Sequence, residues 1–258
     1  MKFLRFTVKN ETKQGVIKGD EIQEITGDIF KEWDYTGEVY SENEIGWLAP
    51  LEPNHIIGIG ANYVAESDDL PEQGPDMPVF FFKPNSSVIG PAADIKIPQA
   101  IEEVKFESEL AVVIGKEANG INEEEVLDHV FGYTIGNDVT APQYFHENGH
   151  WTLGKSFDTF TPLGPVIETE FNPHGAVIKA FHNEKEKQNS PTNLMIVTIE
   201  RMISYLSHVM TLQPGDVILT GSPVGAEFLK EKDQIECRID EIGSLRNSVI
   251  KAKQPTKV

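Results

Sequence analysis

The segment Val104-Lys-Phe-Glu-Ser-Glu-Leu-Ala-Val-Val-Ile-Gly115 carries the side chains best suited to chemistry. As a strand it would aim Glu107 and Glu109 at one face, their Cβ atoms about 6.5–7 Å apart, because side chains alternate along a strand. Phe106, Leu110, Val112 and Ile114 would take the other face. Beyond Glu109 the run is apolar on both faces, with Ala111 and Val113 joining in, which predicts a buried strand. Two carboxylates entering a buried strand repel each other and lose hydration unless something positive lies between them. A divalent cation supplies that charge. The plainer alternative is an exposed strand end carrying two solvated glutamates.

A third carboxylate, Asp138, closes a second apolar strand, Phe131-Gly-Tyr-Thr-Ile-Gly-Asn-Asp-Val139. Three carboxylates with no cysteine nearby select a hard ion, Mg²⁺, Mn²⁺ or Ca²⁺, over zinc. Octahedral Mg²⁺ would keep about three positions for water or a chelating substrate. Asp138 could instead cap the segment that follows, a role equally open to Asn137. Lys155 lies in Leu153-Gly-Lys-Ser-Phe-Asp158 between Trp151 and Phe157. It could neutralise a substrate carboxylate or an enolate, although a lone lysine is usually a surface residue. Thr220-Gly-Ser-Pro-Val-Gly225 follows the short strand Val217-Ile-Leu219. Its glycines would let backbone N–H groups approach an anion, or form a tight turn and nothing more.

Two other patterns are decoys. His146-Glu-Asn-Gly-His150 has the H-E-x-x-H spacing of a zinc protease, which needs a helix to bring both histidines to one face. Asn148-Gly149 in the middle and Pro142 upstream argue against that helix. Gly58-Ile-Gly60 after a short strand resembles the start of a dinucleotide fingerprint, but Tyr63 stands where the third glycine belongs.

The elements that must position these residues are mostly strands. Short apolar runs at His55–Gly60, Val79–Lys83, Leu110–Gly115, Gly132–Val139 and Asp216–Thr220 suit buried strands. Residues 1–52 read as a small strand-rich domain, with alternation over Lys2–Val8 and Glu21–Ile25 and a proline-punctuated connector at Leu48-Ala-Pro-Leu-Glu-Pro53. Asn122–Val130 reads as a capped helix. Thr192–Met210 reads as the strongest helix, its stripe drawn by Met195, Ile199, Met202, Leu206 and Val209. Ile235–Ala252 reads as a hairpin turning at Glu241-Ile-Gly-Ser244.

The chain has 258 residues, 39% hydrophobic, and a net charge of −19. That charge repels phosphate backbones and anionic lipid, so nucleic-acid and membrane-surface binding are not expected. One cysteine, Cys237, excludes an intrachain disulfide framework and fits a reducing compartment. With no signal-peptide core and no apolar run of membrane-spanning length, the expectation is a cytoplasmic protein.

In order and spacing, these segments resemble the fumarylacetoacetate hydrolase family across nearly the whole chain. The resemblance is carried by Leu48-Ala-Pro-Leu-Glu-Pro53, Ile56-Ile-Gly-Ile-Gly-Ala-Asn-Tyr63, Phe80-Phe-Phe-Lys-Pro84, Glu107-Ser-Glu109 with Asp138, and Gly154-Lys-Ser-Phe-Asp158. Pro162-Leu-Gly-Pro165, the spaced Asn183, Gln188 and Thr192, and Pro214-Gly-Asp-Val-Ile-Leu-Thr-Gly221 complete it. It implies an α+β, mainly β fold: a mixed β-roll catalytic domain over 53–258 behind the small N-terminal domain. It also implies Mg²⁺ or Mn²⁺ held by Glu107, Glu109 and Asp138, with Ca²⁺ as a substitute, and a homodimer. Tyr63, Lys155, Gln188, Thr220, Gly221 and Ser222 would bind substrate.

The chain departs from the pattern in two places. Where hydrolytic members often carry a histidine and, three residues on, a glutamate, it has Glu66 and Asp69, which with Lys155 make the candidate catalytic set. Where an arginine often follows the metal aspartate, Asp138-Val-Thr-Ala-Pro142 has proline. The expected activity is that of acylpyruvases and 2-hydroxyhepta-2,4-diene-1,7-dioate isomerases: a small 2-oxo acid or acylpyruvate handled through an enolate, with C–C hydrolysis first. Decarboxylation of an oxaloacetate-like substrate, isomerisation and sugar-acid dehydration are the alternatives within the family. A catalytically weakened metabolite sensor and a metal-stabilised structural domain lie outside catalysis.

Overall fold

The computed structural model describes residues 1–253. Strands dominate, as the sequence predicts. The main sheet has twelve strands, and a second sheet of five packs against it. At the centre of the main sheet Ser108–Ile114 pairs antiparallel with Val130–Asn137 on one side and with Val217–Leu219 on the other. Val217–Leu219 continues in parallel to Ile56–Ile59, which pairs antiparallel with Phe80–Lys83 at the sheet's edge. Alternation decides the two faces of the central strand. Leu110, Val112 and Ile114 enter the larger core, whereas Ala111 and Val113 enter the smaller core with Val217 and Leu219. All seven residues of the strand are buried.

Near the N-terminus, Lys2–Val8, Glu11–Lys18, Glu21–Gly27 and Trp33–Tyr40 form an antiparallel meander. Lys2–Val8 also pairs with Thr161–Glu168, so the meander is continuous with the main sheet. The last strand, Trp33–Tyr40, has no counterpart in the sequence reading. Six of its eight residues are exposed, and alternation is not visible where neither face is buried.

The hairpin near the C-terminus runs Gln234–Ile239 and Gly243–Lys251, close to the bounds read from sequence. The Asn122 segment is a 3₁₀ helix over Glu123–His129, with the Asn122–Glu125 capping box in place. The longest helix is shorter than its apolar stripe suggests, spanning Ile199–Val209, with Thr198 accepting the capping bond from the Arg201 N–H. Residues 195–197 take another partner. Met195 bridges to Tyr63, the Ile196 N–H donates to the Asn62 carbonyl, and the Val197 N–H donates to Asn62 Oδ1. That tertiary pairing removes the first turns from the helix, while Val209 at its end is 55% exposed. Among the described residues no helix is long and apolar enough to cross a membrane.

Candidate metal centre and active site

The two strands that carry the acidic residues are antiparallel neighbours, with Ser108 opposite Asn137. The start of one therefore meets the end of the other, which brings residues 29 apart in sequence together. The Asp138 N–H donates to the Glu107 carbonyl at 2.8 Å, and the Glu107 N–H donates to Asn137 Oδ1 at 3.0 Å. Glu107, Glu109 and Asp138 each present a carboxylate oxygen within 4.8 Å of the others. Glu109 and Asp138 are buried and Glu107 is half-buried.

Two lysines enter the cluster. Lys155 closes a one-turn helix, Thr152–Lys155, and its ammonium donates to Glu107 Oε2 at 2.6 Å and to Asp138 Oδ2. It also lies 4.8 Å from the centre of the Phe81 ring. Lys83, with no exposed side-chain surface, donates to Asp138 Oδ1 at 2.5 Å. The Lys83 strand stands four places from the Asp138 strand in the sheet order, about 19 Å on a flat sheet at the usual strand spacing. A lysine cannot reach that far, so the contact requires the sheet to curl over the site. Lys105 reaches Glu107 Oε1 from the rim at 3.1 Å.

Lys83 and Lys155 lie on Asp138, and Lys155 and Lys105 on Glu107, so among the described residues Glu109 is the carboxylate of the three without a lysine. The ionisation of the group follows. Burial, and then Asp138, push the Glu109 carboxyl well above the usual glutamate range. Burial also works against ionised Asp138, but Lys155 and Lys83 outweigh it and hold that carboxyl below the usual value. Burial opposes the charged form of Lys155 too, and Asp138 and Glu107 reverse it, so the ammonium is held charged. A divalent ion fits this set. The donors are hard oxygens, they converge, and a cation would replace the proton that burial forces onto Glu109.

The other sequence-derived candidates divide. Thr220 is anchored by its N–H and hydroxyl, both donating to the Leu110 carbonyl, at 3.1 and 2.9 Å. The Gly221 N–H donates to Glu109 Oε2 at 2.7 Å, so this loop binds an anion that belongs to the protein itself. Gln188 bridges two parts of the site. Its Oε1 accepts from the Ser108 N–H at 3.1 Å, and its Nε2 donates to Ser222 Oγ at 2.9 Å and to the Pro223 carbonyl at 2.6 Å. The Tyr63 hydroxyl is buried and without a hydrogen-bond partner among the described residues, and its pKa is raised by burial and by Glu109. Glu66 and Asp69 are not brought to the carboxylates. Both are exposed, at the two ends of the turn where the Asp69 N–H donates to the Glu66 carbonyl.

His146 and His150 form a turn rather than a helical pair, with the Gly149 N–H donating to the His146 carbonyl, so the H-E-x-x-H spacing binds no zinc in the helical manner. His55 pairs with Asp216, His174 with Glu200, and His182 with Glu227 and Asp233. Lys83 is the site residue that the sequence reading quoted without assigning. Its signal was a lysine between three phenylalanines and a proline, at the end of a strand that otherwise reads as buried.

A curled, mixed β-sheet carries a carboxylate triad that could hold a metal ion, with a clamped lysine beside it, and comparison with known proteins gives the family. The profile described as Fumarylacetoacetate (FAA) hydrolase C-terminal matches residues 55–250, and one described as Rv2993c-like, N-terminal matches residues 1–50. The chain belongs to the fumarylacetoacetate hydrolase family. The mitochondrial oxaloacetate tautomerase fahd2 of Xenopus laevis is 42% identical over 230 residues, covering 84% of this chain and 72% of that protein. Among solved structures, 5-carboxymethyl-2-hydroxymuconate delta-isomerase from Mycobacterium smegmatis is 34% identical with a TM-score of 0.91. Maleylpyruvate hydrolase from Sphingobium sp. SYK-6, solved with manganese (II) ion and pyruvate, is 28% identical with a TM-score of 0.84. Each of these two alignments covers 98% of this chain and 100% of the other.

Proposed function

We propose that the protein is an Mg²⁺- or Mn²⁺-dependent tautomerase that moves a proton between C3 and the 2-oxo oxygen of a small 2-oxo acid such as oxaloacetate. Glu107, Glu109 and Asp138 would hold the ion, which when bound polarises the 2-oxo carbonyl. Lys155, kept charged by two of those carboxylates, would neutralise charge developing on the substrate oxygen. Thr220, Gly221 and Ser222 would form the wall that receives a substrate carboxylate, fixed in place by Gln188, and the Tyr63 hydroxyl would donate to it. Glu66 would carry the proton, with Asp69 beside it.

The observation that favours proton transfer over hydrolysis is the placement of Glu66 and Asp69. Hydrolysis needs a water molecule activated and aimed by groups held against the substrate. Both acids are exposed, the residues between them, Ser67 and Asp68, supply no histidine, and the bonded, buried part of the site holds charge-stabilising groups. A proton shift asks for less, one carboxylate that reaches C3 directly or through one water. The identity to an oxaloacetate tautomerase supports the same choice. C–C hydrolysis is the second reading, favoured by the likeness to a maleylpyruvate hydrolase.

The test mixes the enol form of oxaloacetate with the Mn²⁺-loaded protein and follows the loss of enol absorbance, alongside deuterium exchange at C3. Acylpyruvates and fumarylpyruvate are assayed in parallel for cleavage, and oxaloacetate for CO₂ release. Faster enol loss with C3 exchange supports the proposal. Cleavage of an acylpyruvate without C3 exchange in oxaloacetate overturns it in favour of hydrolysis. Tight binding without turnover of any compound indicates a sensor.

A further inference from the structure

Gly58 and Gly60 look like half of a nucleotide-binding fingerprint in the sequence, yet in the fold they face aromatic rings. Gly58 stands opposite Phe81 across the strand pair, and a Cβ on Gly58 would lie 2.3 Å from Phe81 Cζ. A Cβ on Gly60 would lie 1.9 Å from Trp151 Cζ3. Gly58 lies in the strand Ile56–Ile59 and Gly60 just past its end, where the Gly60 N–H still donates to the Val79 carbonyl at 2.9 Å, so the two glycines share a face. They leave a bare strip of backbone on which the two rings rest, 6.0 Å apart and edge to face.

Both rings lead to Lys155. Phe81 takes its ammonium over the ring face. Trp151, stacked on Phe145 at 5.7 Å, immediately precedes the single helical turn that Lys155 ends. A third glycine fixes the other side. A Cβ on Gly154 would lie 2.6 Å from the Ala141 carbonyl oxygen, and the Ala141 N–H donates to the Gly154 carbonyl at 2.8 Å. One turn of helix cannot hold a lysine in place by itself.

We propose that Gly60, seating Trp151 on bare backbone, is a positioning residue for Lys155, with Gly58 doing the same through Phe81. The atoms nearest a Gly60 Cβ belong to the Trp151 ring and not to the carboxylates, and Gly60 acts by setting where the Lys155 ammonium lies between Glu107 and Asp138. The rate arm of the test rests on the enzymatic reading above; the labelling arm does not.

The experiment compares wild type, Gly60→Ala, Trp151→Ala and the double variant. Lysine acetylation by acetic anhydride, read by mass spectrometry, is measured at Lys155 with Lys83 as the buried internal reference. In wild type both lysines are protected, with side-chain exposures of 5% and 0%. In Gly60→Ala we expect Lys155 labelling to rise about 10-fold relative to Lys83, and kcat to fall about 10- to 100-fold, the usual consequence of a catalytic group misplaced by about 1 Å. Mn²⁺ affinity should stay within about twofold, because the carboxylates sit on other strands. The decisive feature is the double variant. Removing the ring removes the three atoms nearest the added methyl group, so Gly60→Ala should change neither labelling nor kcat in the Trp151→Ala background. Equal effects of Gly60→Ala in both backgrounds would overturn the proposal, as would wild-type Lys155 protection in Gly60→Ala. Should no 2-oxo acid be turned over by wild type, the labelling ratio still decides the matter. Should Gly60→Ala fail to fold, Trp151→Ala alone must raise Lys155 labelling, and protection retained there would equally overturn it.

Discussion

The two halves of the site are made in opposite ways. Glu107, Glu109, Asp138 and Lys83 belong to or flank strands, Lys155 ends a helical turn, and all five are bonded to one another or to backbone. Glu66 and Asp69 belong to a solvated turn whose acidic side chains pair with nothing in the interior. Charge that must stabilise a developing enolate works only if it is already in place, because reorganising it costs as much as it gains. A group that exchanges protons with solvent needs access more than rigidity. On the proposed reading, the bonded elements serve electrostatics and the exposed turn serves proton transfer.

That division can be broken from its rigid side first. Glu109→Gln removes one of three ion ligands and should lower Mn²⁺ affinity more than about 100-fold, beyond the about 10- to 100-fold typical of groups that only support a ligand. Isothermal titration with Mn²⁺ measures it. The same variant tests the ionisation of the site. Because burial raises the Glu109 carboxyl in the folded chain, the metal-free fold binds a proton that the unfolded chain releases near the usual glutamate value. The stability this contributes is present at low pH and is lost as pH rises through the raised value. Thermal denaturation in chelator should thus show stability falling with pH above about 4.5, and Glu109→Gln should flatten that slope.

Lys83→Met comes next. It leaves Asp138 buried with Lys155 as its remaining cation and should cost about 3 kcal/mol of stability by chemical denaturation, in the range for removing one partner of a buried pair. A loss below about 1 kcal/mol, as for a surface pair, would contradict the buried geometry. Glu66→Gln, on the solvated side, should leave stability and Mn²⁺ affinity unchanged and lower kcat about 10- to 100-fold. Equal losses in metal affinity and rate would place Glu66 with the ligands and erase the distinction between the halves.

The same division governs how much the sequence reveals. The central strand was legible because burial on both faces leaves an unbroken apolar run, and two glutamates at its mouth stand out against it. The spacing of Glu107, Glu109 and Asp138 became a cluster through a single antiparallel pairing, which strand patterns already suggest. What escaped depended on long-range geometry. Lys83 reaches Asp138 only because the sheet curls, and no local pattern encodes curl. The helix start moved to Ile199 because Asn62 captured residues 196 and 197, an interaction across more than 130 residues of sequence. Gln188, expected to meet substrate, spends both ends of its amide on Ser108, Ser222 and Pro223, which a residue list cannot show.

Every role proposed for the site depends on one divalent ion among three carboxylates beside a fixed lysine. Diffraction from crystals soaked in Mn²⁺, with anomalous scattering recorded at the manganese edge, tests it most directly. The account predicts one strong anomalous peak per chain within coordination distance of Glu107, Glu109 and Asp138. A protein saturated with Mn²⁺ whose anomalous peak lies elsewhere, with those three carboxylates holding only Lys83 and Lys155, would contradict it.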